Sequence, residues 1–231
     1  MDESAFPVVL FILGPAIAIA IMCMAAGAHS KKVKELTAWA GRHGWRYDER
    51  RPDLVDHFPG DPFDRGGSSR SADHVLSGSH RGHRVLLYEH RYTKRSHNGQ
   101  STTSTTHRHR IAAVATPAPT PVLEIKEQHF GHVLLNLIGM HDLRIGDPRF
   151  DDAFRVTADD DDFARSVLSE ELRTWLLAQP PGRRVPLRFT GDHLVTWESI
   201  RLDPDYALEA ADHLIDVLER IPVGVWEQHR H

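Results

Sequence analysis

An uncharged run of 23 residues, Phe6 to Ala28, restricts this 231-residue chain more than any other feature. As a helix rising about 1.5 Å per residue it would extend about 34 Å, against a hydrocarbon core of about 30 Å. Gly14-Pro15 sits near its middle. Such a pair breaks a helix in water and is tolerated as a kink in lipid. The run therefore predicts one transmembrane helix over residues 6–28. Asp2 and Glu3 precede it, and Lys31, Lys32 and Lys34 follow. Basic flanks stay inside, which places the N-terminus outside and the remaining chain in the cytoplasm, anchored to the cell membrane in a single pass. The alternative is a cleaved signal peptide and secretion, for which Ala26-Gly27-Ala28 offers a cleavage-like triplet. An acidic start and an overlong apolar run argue for the retained anchor.

On that reading residues 1–5 are a short outer segment and 29–50 a juxtamembrane helix and linker. Residues 51–226 form one domain, and 227–231 are a tail. Val33, Leu36, Trp39 and Ala40 fall near one face of a helix over 31–43, which Gly44 ends. Pro, Gly, Asp and Ser make 51–71 a loop, with one helical turn at Asp53–His57. Strands are expected at Val75–Ser79 and His83–Tyr92, joined by a turn at Arg81-Gly82. In the second of them Leu86, Tyr88, His90 and Tyr92 share one face, Val85 and Leu87 the other. The polar stretch 94–105 is expected to be a mobile hairpin tip. His107–Thr116 reads as a central strand, Pro117–Pro121 as an extended connector and Val122–Lys126 as a short strand.

Further on, Thr157 is a candidate cap for a helix over Asp159–Leu168, and Ser169 for a helix that stops at Pro180-Pro181-Gly182. A second hairpin is expected to turn at Gly191-Asp192. Asp203-Pro204 opens a last helix whose stripe is Ala207, Ala211, Leu214, Ile215 and Leu218. Strands arriving as hairpins, with no glycine-rich strand-to-helix turn, define an α+β fold. It is an antiparallel sheet with packed helices, preceded by the membrane helix.

Several of these segments resemble a bacterial, actinobacterial-looking family of membrane-anchored domains of unknown function. The residues carrying the likeness are Phe150-Asp-Asp-Ala-Phe-Arg-Val156, Asp161–Leu168, the Gly191 turn, the last helix running into Ile221-Pro222, and the Val85–Tyr92 strand. The likeness covers about residues 80–226. It implies an α+β domain tethered by one or two membrane helices, and it brings no active site with it.

Histidine is the compositional outlier, at 17 residues. No metal site is expected, because the soluble part has no cysteine and no HExxH-type spacing to complete a zinc site; His107 and His109, which share one face of a strand, are the candidate ligands should one exist. Between Arg65 and Arg110 nine Lys/Arg face only Asp73 and Glu89, while Asp142–Glu171 holds ten acids against four Arg. The basic stretch, with Lys31, Lys32, Lys34, Arg42 and Arg46, makes the lipid bilayer an expected partner, beside an unidentified membrane or cytoplasmic protein. The net charge of −4 and the lack of an aromatic-and-basic module exclude nucleic acid as an expected partner. There is no P-loop, GxGxxG, GxSxG or SxxK, so no cofactor is expected. The expected function is a membrane-anchored, non-enzymatic binding or scaffold module. The alternatives are a membrane-associated hydrolase with a dispersed site, or a His-rich metal or pH sensor.

Overall fold

The computed structural model describes residues 5–65, 67–97, 99, 101–128, 141–180 and 183–228. It begins with a long helix α1 (Ala5–His43), whose side chains are described from Met22 onward, Ala25 apart. Among the described residues no helix is long and apolar enough to cross a membrane. That corrects the transmembrane segment of the expected fold, and with it the single-pass anchor and the cytoplasmic placement of the domain. Most of the expected span falls on residues whose side chains lie outside the description. Where side chains are described, α1 is a docked helix: Leu36, Trp39 and Ala40 are buried in the main core. Trp39 Nε1 donates to Asp205 Oδ1 at 2.7 Å, tying α1 to a distant helix. Gly44, at φ 68°, ends α1 where a side chain would be strained.

Among the described residues seven strands form one antiparallel sheet: β1 (Arg46–Arg50), β2 (Ser68–His80), β3 (His83–His97), β4 (Thr102–Glu127), β5 (His141–Leu143), β6 (Phe154–Ala158) and β7 (Leu187–Glu198). The α+β class with an antiparallel sheet and packed helices stands. The order is β1-β2-β3-β4-β6-β5, with β7 also on β4. β4 is the spine. One of its edges takes β3 and then β6, and the other takes β7 along both halves. Pro117–Pro121 is thus no connector but the middle of β4, where pairing to β7 shifts register. Proline lacks an N–H, so it belongs at such an irregularity.

The β2–β3 hairpin turns at Arg81-Gly82, both with positive φ, as the hairpin twist demands. The expected tip at 94–105 is largely ladder, with pairing continuing to His97 and Thr102. The second hairpin does not exist. Residues 187–198 are one strand, and Gly191 is a bend in it at φ 56°. Thr157 lies in β6, and Asp160 instead caps α3 (Asp161–Val167) by accepting from Phe163 N at 2.8 Å. Ser169 caps α4 (Glu170–Ala178), and Asp203 caps α5 (Pro204–Glu219) with Pro204 at its first position, both as the sequence indicates. Helices α2 (Pro148–Ala153) and α6 (Val223–Gln228) complete the fold.

The sheet has a core on each face. The larger one packs α1–α6 on Leu76, Val85, Leu87, Ala112, Val114, Leu123, Phe189 and Leu194. The smaller one lies under a strap formed by residues 51–65. Leu54, Phe58 and Phe63 of the strap cover Val75, Tyr88, Ile111, Val195 and Trp197.

Candidate metal centre

The strap is held by a buried cation. Arg188 of β7 is fully buried. Its Nη2 donates to Asp61 O at 2.8 Å and its Nη1 to Pro59 O, while its Nε donates to Glu124 Oε2 at 2.8 Å. Strict alternation along β7 cannot put Arg188 on the strap face together with Val195 and Trp197. The bend at Gly191 resets the alternation. Before it Leu187 and Phe189 face the helices, and after it Leu194 does. The same bend brings His193 onto the strap face and leaves Asp192 at the exposed corner.

There His57 of the strap meets β7. Ligand atoms of His57, Asp192 and His193 all lie within 4.8 Å of one another, the one such group of three among the described residues. His193 Nδ1 is 2.7 Å from Asp192 Oδ1, and its side chain is 12% exposed against 54% for the aspartate. The His57 and His193 rings stand nearly perpendicular at 5.6 Å. Phe58 walls the pair on one side, 4.7 Å from His57 and 5.5 Å from His193. Burial pulls His193 below the usual histidine range, against the pull of Asp192, with His57 and Arg84 adding to the lowering. Burial acts to raise Asp192, but the charge and hydrogen bond of His193 outweigh it and hold that carboxyl below its ordinary value. Two imidazoles and a carboxylate are donors of the kind that a transition metal takes. An ion bound at about 2.0–2.2 Å needs ligand atoms about 3.4 Å apart, so the 2.7 Å contact of His193 Nδ1 with Asp192 Oδ1 would have to open for both atoms to bind it.

The two candidate histidines of the sequence lie apart from this group. His107 and His109 share a face of β4 as predicted, but both rings stack on Tyr92, at 4.9 and 5.8 Å, and they collect no third ligand among the described residues. The triad joins a loop histidine to an Asp-His pair behind a strand bend, and no fixed spacing announces it. The one sequence sign was Gly191-Asp192-His193, a glycine-led corner followed by two donors.

The expected basic surface is largely paired within the fold. Arg81 bonds Asp212, Asp216 and Glu219 of α5. Arg91 pairs with Asp73, Arg108 with Glu89, Arg110 with Glu198, Arg70 with Asp56 and Arg65 with Asp61. Lys32 Nζ donates to Leu202 O at 2.8 Å, Lys31 is 3.8 Å from Glu35, and Arg46 pairs with Asp48 at 2.7 Å. Lys34 and Arg42 are exposed on α1. Among the described residues no membrane-crossing helix supports the expected contact with a lipid bilayer.

No family model matches the chain, and no curated protein matches it in sequence. The resemblance to a membrane-anchored family is therefore set aside. Among solved structures, the crystal structure of the mycobacterial trehalose monomycolate transport factor A is similar, with a TM-score of 0.57 at 16% identity. The match covers 82% of this chain and 95% of that one. At that identity the likeness is one of fold.

Proposed function

We propose that this domain binds a divalent transition-metal ion through His57, Asp192 and His193, and that it serves as a metal-responsive module rather than a membrane scaffold. The observation that carries the reading is the convergence of three ligand atoms from two chain segments. Zinc suits the donor set, since it takes imidazole and carboxylate in a tetrahedron and leaves a fourth place for water or another ligand. The ion would join the strap to β7, so occupancy would be felt by the whole strap face.

The test is calorimetric titration of zinc into chelator-stripped protein, with cobalt(II) absorption reporting coordination geometry. One tight site is expected in the wild type. His57→Ala and His193→Ala should each weaken it at least about tenfold, the loss typical even of supporting residues. Surface histidines bind zinc loosely, so an isotherm unchanged in the double variant would refute the site.

The fold likeness favours a second reading. The similar protein is named as a trehalose monomycolate transport factor, and an accessory role in lipid transport is the corresponding proposal here. One fold hosts many functions, so this reading rests on analogy. It predicts altered extractable envelope lipids when the chain is deleted from its host, and an unchanged lipid profile would end it.

A further inference from the structure

Beneath the strap, away from the metal ligands, lies a second histidine pair. His90 of β3 and His109 of β4 are register partners on neighbouring strands. His90 is fully buried, and neither of its ring nitrogens has a hydrogen-bond partner among the described residues; the same holds for His109 Nε2 and for the Tyr88 hydroxyl. His109 Nδ1 is 3.3 Å from Ser199 Oγ. Buried polar atoms are nearly always paired, so four together on one face call for a reason. Phe63 of the strap closes over His90 with ring centroids 5.2 Å apart.

We propose that His90 and His109 form an acid-operated release for the strap: protonation favours a state in which residues 51–65 lift off the sheet. The closed state resists the charge, because both rings are buried beneath the strap and the added proton finds no hydrogen-bond acceptor for His90 among the described residues. Groups near His90 are His109, Arg70, Asp56 and Asp73; near His109 they are Asp61, Arg65 and His107. His109 and Arg70 oppose protonation of His90, and Arg65 and His107 oppose that of His109. The carboxylates favour protonation, but burial is the largest influence at each ring, and both are pushed down to about 4.

The sign follows from linkage. A histidine freed to water titrates near 6.5, so the closed strap is favoured above that pH and loses ground as pH falls toward 4. For one such group the opening constant rises roughly 30-fold between pH 7.5 and 5, and for two the rise is steeper. This inference does not depend on metal binding and is tested in chelator.

The experiment is hydrogen exchange of the strap at pH 7.5, 6 and 5, with protection normalised to intrinsic exchange at each pH. Arg51 N donates to Ala72 O of β2 at 3.0 Å, a bond between strap and sheet, so its amide reports docking. Protection in the wild type should fall at least about 30-fold over that range. His90→Phe keeps a ring against Phe63 and should flatten the profile, and His109→Gln should do so in part. Equal normalised protection at pH 7.5 and 5 overturns the proposal. So does a full acid response in a folded His90→Phe protein. Should that variant not fold, His90→Leu carries the same comparison, and a response unchanged in His109→Gln counts against the pair.

Discussion

Arg188 shows how one side chain can hold two layers together. A fully buried guanidinium is costly unless every donor is used, and here the donors reach Glu124 and two strap carbonyls. Its plane also lies 4.5 Å from the Trp197 ring centre. Gly60 leaves it room, since a Cβ there would sit only 3.0 Å from the guanidinium. Arg188→Ala should cost about 3–5 kcal/mol, because Glu124 and the carbonyls of Pro59 and Asp61 lose their partner in a dry site. Urea unfolding measures it, and a loss under about 1 kcal/mol would mean that the strap is anchored some other way. Thr196 is a smaller case of the opposite sign. Its hydroxyl is buried without a partner among the described residues. Thr196→Val should be neutral or stabilising by up to about 1 kcal/mol in the same assay, as a near-isosteric removal of an unpaired group.

At the scale of elements, legibility followed regularity. β3 was readable because its period-two pattern is unbroken: Val85 and Leu87 do enter the helix-side core, and Tyr88 the strap-side core. The caps at Ser169 and Asp203 and the α5 stripe were readable for the same reason, since local chemistry and tertiary packing agree there. β4 and β7 were misread because each changes face midway. Pro117–Pro121 looks like a connector and Gly191 like a chain reversal, and only the partner strand shows that the ladder continues past them. The candidate metal ligands depend on that Gly191 bend, so they were hidden with it. The docking of α1 was half legible: Leu36, Trp39 and Ala40 announce a buried face but not what buries it. Gly78 of β2 is part of the answer, because a Cβ built on it would intrude into the Trp45 ring. Trp45 in turn packs edge-on against Trp39 at 5.5 Å. Gly78→Ala should therefore destabilise by about 1–3 kcal/mol through overpacking, and shortening Trp45 to Leu should recover part of that. Chemical denaturation of the two variants decides it, and a neutral Gly78→Ala would show that α1 can shift at no cost.

Across the whole molecule the two faces of the sheet are unequal. The helix face is sealed by apolar packing from α1–α6, whereas the strap face combines a small apolar core with Arg188, Glu124 and the buried His90–His109 pair. An ion at His57, Asp192 and His193 would act on the weaker face, and on β7, which borders both halves of the spine strand. Binding to the folded chain alone stabilises it by about 2.7 kcal/mol at a hundredfold excess over Kd. Each kcal/mol raises Tm by about 2–4 °C for a domain of this size, so zinc at pH 7.5 should add roughly 5–11 °C. The increment should vanish in His57→Ala, which removes a ligand from an exposed position and leaves the core intact. It should also shrink in acid, because each imidazole must be neutral to bind. Burial already holds His193 below the usual histidine range, which keeps it ready to bind at neutral pH and defers proton competition at that ligand. Differential scanning calorimetry with and without zinc, at pH 7.5 and 5.5, separates the contributions. A zinc shift that persists in His57→Ala would place the stabilising ion elsewhere. A wild type that melts at the same temperature with and without zinc would leave the strap held by Arg188 and its apolar residues alone.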